Sequence, residues 1–406
     1  MPFAPRAVAG LALSLLMLGT STGAEAVAAS ATAIGQNRTT YERDTSSTVP
    51  GSYIVTLKDA ATHADSAEGR AIAEKYGATI KRTYRTAING YSIRASETQV
   101  KRLAADSAVK AVTQNRTLHA EGGRGSQPTP PSWGLDRIDQ KSLPLDRSYT
   151  YPKNAGKTVT AYVIDSGVRI THQDFGGRAS YGYDAVDHDN IAQDDNGHGT
   201  HVAATVAGKK YGVAKNAKIV AVRVLDGLAK GTTEQIVAGI DWVTQHAAKP
   251  AVANISITGG ADPVVDQAVQ RSIASGITYV VAAGNDNKDA AGYSPARVRE
   301  AITVGATTKG DARYELSNYG STVDIFAPGS SITSAWGSSD RAFLADSGTS
   351  MAAPHVAGAV ALYLAGHPSA PPSRVASALT AAATTGAVTD THGSPNRLLN
   401  IAPRQK

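Results

Sequence analysis

Apolar residues follow two different patterns along the chain, and the change comes near residue 120. Before it they occur in short alternating or helical stretches. Residues 53–57, 80–84, 91–93 and 109–113 read as strands, and 67–76 and 98–105 carry helical spacing. The order β-α-β-β-α-β predicts a small ferredoxin-like α+β domain. From Trp133 onward apolar residues gather in near-continuous blocks, at 159–164, 219–225, 252–257, 278–283, 302–305 and 323–326. Such blocks predict strands buried on both faces of a parallel sheet. Helical patterns at 201–207, 235–246 and 264–275 separate them, the second led by the capping box Thr232-Thr233-Glu234-Gln235. Two more helices, 350–365 and 373–382, close the chain. The fold class is therefore α/β, a doubly wound and mostly parallel sheet with its sites at the strands' carboxyl ends, preceded by the small α+β domain.

Small and polar stretches set the boundaries. Arg6, the apolar run 8–18 and the A-x-A-like Ala24-Glu25-Ala26 predict a secretory signal over 1–26 and an extracellular protein. The run is too short to span a bilayer, and no later segment is apolar enough to do so. Residues 27–48, rich in Ala, Thr and Ser, predict a linker, and 49–119 hold the small domain. Glycines at 122, 123 and 125 and prolines at 128, 130 and 131 predict an exposed connection suited to proteolytic nicking, with the large domain at 126–406.

Composition adds two constraints. Apolar residues make up 42%, enough for a sizeable core, and there is no Cys. Disulfides, thiolate nucleophiles and Cys-ligated zinc are thus excluded, and stability has to come from packing, calcium or a slow unfolding barrier. The net charge of +6 is unevenly spread: residues 1–125 hold 15 Lys and Arg against 10 Asp and Glu, and the rest hold 25 against 24. A nearly neutral body is a poor electrostatic footprint for a nucleic-acid binder.

Three segments carry chemistry. Asp165 follows a buried strand, where a carboxylate is costly to desolvate unless it is paired. His198 lies between Gly197 and Gly199, open to approach from both sides. His198 and His201 are three apart, but H-x-x-H without an intervening Glu is not the zincin pattern. Ser350 starts a helix, where free backbone N–H groups can stabilise an oxyanion. Alone, Asp165 could close a turn and Ser350 could cap its helix. Together, serine attack needs a base to take the proton and an acid to orient that base. The order Asp…His…Ser is that of subtilisin, whereas α/β-hydrolases run Ser…Asp…His.

On residues 161–168, 195–203, 282–285 and 347–358 the chain resembles the subtilases, the subtilisin-like serine proteases, and most of all their proteinase K branch. Residues from about 49 to 118 resemble the inhibitor-type propeptide of these enzymes. The resemblance implies a secreted serine endopeptidase that acts on proteins and peptides, is made as a self-processing precursor, is inhibited by its own propeptide, and works as a monomer. It makes Ser350 the nucleophile, His198 the base and then acid, Asp165 its orienter, and Asn285 an oxyanion donor beside Ser350 N–H. A catalytically dead scaffold of the same fold is disfavoured because all three triad residues are present.

The resemblance also implies that Leu228-Ala229-Lys230-Gly231 and Ser256-Ile257-Thr258-Gly259 sandwich the substrate as an added strand, a mode of broad recognition. Ala282, Ala283 and Gly284 would line the pocket for an apolar or aromatic residue before the scissile bond. Thr258, Ala229 and Lys230 depart from the small residues usual there, and Ala204 from a frequent Gly. Calcium is the expected cofactor. One implied site uses Asp324 with the carbonyls of Arg299 and Ala301, and another uses Asp136, Asp139, Gln140, Asp146 and Ser148. Asp187, Asp189, Asp194 and Asp195 form a third candidate, since hard oxygen ligands suit Ca²⁺.

Overall fold

The structure, a computed structural model, describes residues 48–60, 62–116 and 123–402. The expected signal and nearly all of the expected linker lie outside them. The chain divides into two compact units, 1–118 and 119–406.

In the front unit the order is β1 (Thr48–Leu57), α1 (Ala67–Lys75), β2 (Thr79–Tyr84), β3 (Gly90–Arg94), α2 (Glu97–Ala104) and β4 (Val109–Arg116). The strands form one antiparallel sheet in the order β2-β3-β1-β4, with Val55 opposite both Tyr91 and Val112. Alternation decides which face is covered. Tyr53, Val55 and Leu57 are buried while Ile54 and Thr56 are half-exposed. The buried face packs with Ala73, Val100 and Leu103 of the two helices. Ser66 caps α1 by accepting from Gly69 N, and Ser96 with Gln99 forms a capping box on α2.

The body opens with β5 (Arg124–Pro128), paired antiparallel with β6 (Ser148–Pro152), and between them α3 (Trp133–Ile138). The stretch expected to be an exposed connection is thus partly a strand. Its glycines and prolines read as punctuation, yet Pro128 stands at the strand's end, and Gln127 Nε2 donates to Lys210 O at 3.0 Å.

There follow β7 (Thr160–Asp165), β8 (Ala179–Asp184), α4 (His198–Ala207), β9 (Lys218–Arg223), α5 (Thr233–His246), β10 (Ala251–Ile255), β11 (Gly259–Gly260) and α6 (Pro263–Ala274). Next come β12 (Thr278–Ala282), β13 (Tyr293–Ser294), β14 (Ile302–Thr307), β15 (Ile325–Pro328), β16 (Ile332–Ala335) and β17 (Phe343–Asp346). The chain ends with α7 (Thr349–Gly366), α8 (Pro372–Ala382), β18 (Thr384–Thr385) and β19 (Arg397–Leu398). The main sheet runs β18-β19-β15-β14-β12-β10-β7-β9-β8 and is parallel except for β18.

Every residue of β7, β10, β12 and β14 is buried, because helices cover both faces. Val202 and Val206 of α4 and Val356 and Val360 of α7 pack on one side. Ile240 and Val243 of α5 and Val265 and Val269 of α6 pack on the other. After β7 the chain goes to the sheet edge for β8 and returns inward for β9, which pairs with β7, then crosses to the far side of β7 for β10. That reversal opens a crevice beyond the carboxyl ends of β7 and β10.

Candidate active site

Asp165 is the last residue of β7 and is fully buried at the crevice floor. Its Oδ1 accepts from Ser166 N at 2.8 Å and from His198 Nδ1 at 2.7 Å. A carboxylate only accepts, so Nδ1 carries the proton and the lone pair of the neutral ring lies on Nε2. Burial is the largest single influence on His198 and lowers its pKa. The charge and hydrogen bond of Asp165, with smaller contributions from Asp346 and Asp194, more than offset it, and the pKa ends above the ordinary histidine value.

His198 stands at the first position of α4 because Gly197, with φ 116°, turns the chain into the helix. A Cβ at Gly197 would also lie 2.3 Å from the Trp336 ring, so only Gly fits there. Asp194 locks this junction. Its Oδ1 accepts from Ser166 Oγ (2.9 Å), Asn196 N (3.0 Å) and Gly197 N (2.8 Å), and its Oδ2 from Thr200 N (2.9 Å) and Thr200 Oγ1 (2.5 Å). One buried carboxylate therefore ties the residue after Asp165 to both flanks of His198. His201 is turned away, donating from Nε2 to Ile332 O at 2.9 Å, and burial holds its pKa down at about 4.

Ser350 sits in the first turn of α7, among amides that lack an intrahelical acceptor. Its Oγ donates to Ser256 O at 3.0 Å, and Ser256 Oγ donates back to Ser350 O at 3.0 Å. Among the described residues no hydrogen bond joins Ser350 Oγ to His198. Asn285 follows β12 and is exposed. Its Oδ1 accepts from Thr349 N at 2.8 Å and Thr349 Oγ1 at 3.0 Å, which identifies the oxygen end and leaves Nδ2 as a donor with no described acceptor. A Cβ at Gly348, the residue before, would crowd that amide at 3.2 Å.

The turn at Ala282, Ala283 and Gly284 is held by the buried Asn318. Its Nδ2 donates to Ala283 O (3.0 Å), its N donates to Gly284 O (2.8 Å), and its Oδ1 accepts from Asp286 N and Lys288 N (both 3.0 Å). Across the crevice, Asp226 shapes the 228–231 turn by accepting from Leu228 N and Lys230 N, both at 2.9 Å. Ala229 adopts φ 57°, a left-handed conformation in which Gly would be unstrained. Leu228 is 74% exposed. A cavity of about 510 Å³ lies between the two expected segments and is lined by Ala229, Lys230, Gly231, Ile257, Thr258 and Gly259, with Ile236 and Val265 beneath. Leu228 and Ser256 do not line it.

Among the described residues no group of three or more His, Cys, Asp or Glu is gathered tightly enough to hold a metal. The residues of the expected calcium site around Asp136 are nonetheless neighbours. Asp136 accepts from Asp146 N (3.2 Å) and Arg147 N (3.0 Å), Gln140 Oε1 from Asp146 N (3.1 Å), and Asp139 Oδ2 from Thr150 N (2.6 Å). Asp139 Oδ1 is buried without a partner. Burial first, then the charges of Asp146 and Asp136, push Asp139 up to about 6 against the Thr150 N–H. An orphaned oxygen among like charges is what a cation would relieve. Ser148 turns its hydroxyl to Ser126 (3.2 Å) and touches the group only through its N–H, bonded to Asp146 Oδ1 at 2.8 Å.

At the other expected site Asp324 accepts from Thr303 N at 2.9 Å, and burial pushes it up to about 6. The third candidate does not fit a cation, because one is already there. Arg223 Nη1 lies 2.8 Å from Asp184 and 2.5 Å from Asp187, its Nη2 lies 3.0 Å from Asp195, and Asp194 is spent on α4.

Motif order pointed to Asp165, His198 and Ser350, and the resemblance to Asn285, but neither pointed to the holding roles of Asp194, Thr349 and Asn318. Thr349 lay inside a recognised motif, and its role is visible only once β12 and α7 are neighbours. Asp194 and Asn318 carry no local signal, since what they hold is brought to them by the fold.

Residues 156–399, more than half of the chain, match the Subtilase family, and residues 52–121 match Peptidase inhibitor I9. The chain is 50% identical over 324 residues to an extracellular serine proteinase of Thermus sp. (strain Rt41A), a match that covers 80% of this chain and 78% of that one. It is 49% identical over 326 residues to the alkaline serine exoprotease A of Vibrio alginolyticus, again 80% of this chain but 60% of the relative's own length. The crystal structure of a cold adapted subtilisin-like serine proteinase superimposes with a TM-score of 0.65 at 52% identity, covering 67% of this chain and 98% of that one.

Proposed function

The chain belongs to the subtilase family of serine endopeptidases, and on that footing we propose that it is a secreted, self-processing enzyme whose reaction is run by Asp165, His198 and Ser350. The observation that carries this reading is the 2.7 Å bond from His198 Nδ1 to the buried Asp165, which leaves Nε2 as a base at the crevice that holds Ser350. The proposal requires Ser350 Oγ to leave Ser256 O for His198 Nε2, and such bonds commonly tighten only when substrate is bound.

In the proposed reaction Ser350 Oγ attacks the scissile carbonyl while Nε2 takes its proton. The oxyanion accepts from Asn285 Nδ2 and Ser350 N. The C–N bond then breaks as His198 protonates the departing amine, and water releases the acyl group by the same steps in reverse order. Asp165 keeps the proton on Nδ1 and stabilises the transient imidazolium. Substrate pairs as an extended strand between 228–231 and 256–259, with an apolar or aromatic residue at 282–284.

We further propose residues 1–26 as signal, 27–48 as linker, 49–119 as inhibitor and folding aid, and 126–406 as a monomeric peptidase, with self-cleavage between about 119 and 126. The similarity of 52–121 to Peptidase inhibitor I9 supports this order, as does the extracellular Thermus relative. Among the described residues no helix is long and apolar enough to cross a membrane. Calcium is proposed as a structural cofactor, held by Asp136, Asp139, Gln140 and Asp146 and by Asp324 with the Arg299 and Ala301 carbonyls. When bound it neutralises carboxylates that the fold buries.

The test is the Ser350→Ala precursor made in a host free of other proteases. It is expected to stay full length and to leave peptide substrates intact; maturation by that variant overturns the reading. For calcium, a chelator is expected to shorten the half-life of thermal inactivation, and an unchanged half-life removes the cofactor.

A further inference from the structure

We propose that the groove between the start of α3 and the 143–147 loop binds the acyl-side product of the reaction, a peptide that ends in an apolar residue with a free carboxylate. This rests on the endopeptidase reading, which defines that product. The groove is a cavity of about 750 Å³, and none of the residues lining it borders the cavity at 229–231 and 257–259. Pro130, Pro131, Trp133, Leu143, Pro144 and Leu145 make its apolar wall. A concave, mostly apolar site with a few charged groups is the usual form of a small-ligand pocket.

The wall is fixed before any ligand arrives. Proline rings lock φ at Pro130, Pro131 and Pro144. Trp133 Nε1 donates to Ser330 O at 3.0 Å, which pins the indole. Thr129 N donates to Arg147 O at 2.8 Å, and Arg147 N to Asp136 Oδ2 at 3.0 Å, so both lips of the groove are tied down. A ligand then has little ordering of the protein left to impose, which favours its binding.

The charged groups choose the ligand. Arg147 and Lys309 line the groove and are exposed. Among the described residues no carboxylate forms a salt bridge with either, whereas Arg137 of α3 is held by Asp311 at 2.7 Å. Asp136 is the acid on the lining, but it is buried, and its Oδ1 and Oδ2 accept from Asp146 N and Arg147 N. Hydrolysis releases two halves. One ends in a new carboxylate on the apolar or aromatic residue that stood before the scissile bond, and the other begins with a new ammonium. Two unpaired cations beside an apolar wall attract the first and repel the second.

The matured enzyme is first blocked at its serine with a sulfonyl fluoride, so that peptides survive, and binding is read by calorimetry. The probes are acetyl-Ala-Ala-Phe with a free carboxylate, the same peptide as its C-terminal amide, and Ala-Ala-Phe amide with a free amino terminus. The acid is expected to bind more tightly than either of the others. Arg147→Gln and Lys309→Gln are each expected to weaken it about two- to fivefold, the span open to exposed charge pairs. About 1 M salt, where the Debye length is near 3 Å, should shrink the preference for the acid. Neither residue lines the crevice cavity, so a peptide held there would not respond to these variants. Unblocked, both variants should keep the parental kcat, which shows that they fold. An acid that does not bind, that binds no better than its amide, or that binds the double variant as it binds the parent overturns the proposal while the endopeptidase reading stands. If the unblocked parent cleaves no peptide, that reading falls and this inference with it.

Discussion

The front unit and the body each lay helices on a β-sheet, but the front unit covers one face and the body covers two. In the front unit this leaves alternation, with Val55 inward and Ile54 and Thr56 outward, and no strand end sunk between layers. In the body β7 and β10 are buried throughout, and where they stop, Asp165 and Ser256 find themselves at the floor of a crevice. The difference teaches where chemistry can be placed. A carboxylate as buried as Asp165 persists because the second helical layer brings His198 to it, and a one-sided sheet has no equivalent position.

The contrast can be broken most severely at the nucleophile. Ser350→Ala is expected to cut kcat by about 10⁶, the loss found on removing the nucleophile of subtilisin itself, and peptide hydrolysis reads it. Asn285→Ala should lower kcat by about 10²–10³ with little change in KM, a range likewise taken from the corresponding donor in subtilisin. On the other side of the comparison, Leu103→Ala within the Ser350→Ala precursor should destabilise the front unit by about 2–5 kcal/mol, the usual cost of emptying a buried leucine site. Denaturant unfolding followed by limited proteolysis would then show the front unit yielding earlier and the body at its former midpoint. A common shift of both would mean that the two units unfold as one.

A smaller effect concerns pH. Lys215 is only 7% exposed, donates to Gly212 O at 3.0 Å, and lies 5.2 and 5.5 Å from the Tyr149 and Tyr151 ring centres. Burial lowers its pKa from 10.5 to about 8, with Asp174 opposing and Arg178 adding to the fall. Between about pH 8 and 10.5 the folded amine is neutral while the unfolded one still holds its proton. The unfolded state binds more protons there, so this group's contribution to stability rises with pH across that window. Urea midpoints of the Ser350→Ala protein and of its Lys215→Met derivative, compared from pH 7 to 11, should show the derivative losing that rise. The smallest change is expected from Thr258→Gly, which removes a β-branched side chain from the cavity wall and should raise kcat/KM about two- to fivefold for bulky residues there, roughly the worth of burying one more CH₂.

The sequence made the layers legible because buried strands are uninterrupted apolar runs. β8 escaped because Ala-Ser-Tyr-Gly-Tyr-Asp is an edge strand with one half-covered face, and it takes its place from pairing with β9. β5 escaped because its Gly and Pro are also the vocabulary of linkers. In the site, the residues of the proposed reaction sat in motifs, but Asp194 and Asn318, which hold their surroundings, did not. Asp194 bridges two segments 30 or so residues apart by five hydrogen bonds, and such a role exists only after β7 and α4 have met. Acidic clustering misled at Asp187 and Asp195, since the residue that satisfies them, Arg223, arrives from β9.

The central claim is that Asp165, His198 and Ser350 act as one unit, and covalent labelling tests it most directly. The matured enzyme is treated with a serine-directed sulfonyl fluoride and the adduct is located by peptide mass spectrometry. We expect one adduct per chain, on Ser350, and its rate of formation to collapse in His198→Ala. An adduct on another residue, or labelling of Ser350 at the parental rate without His198, would contradict the account.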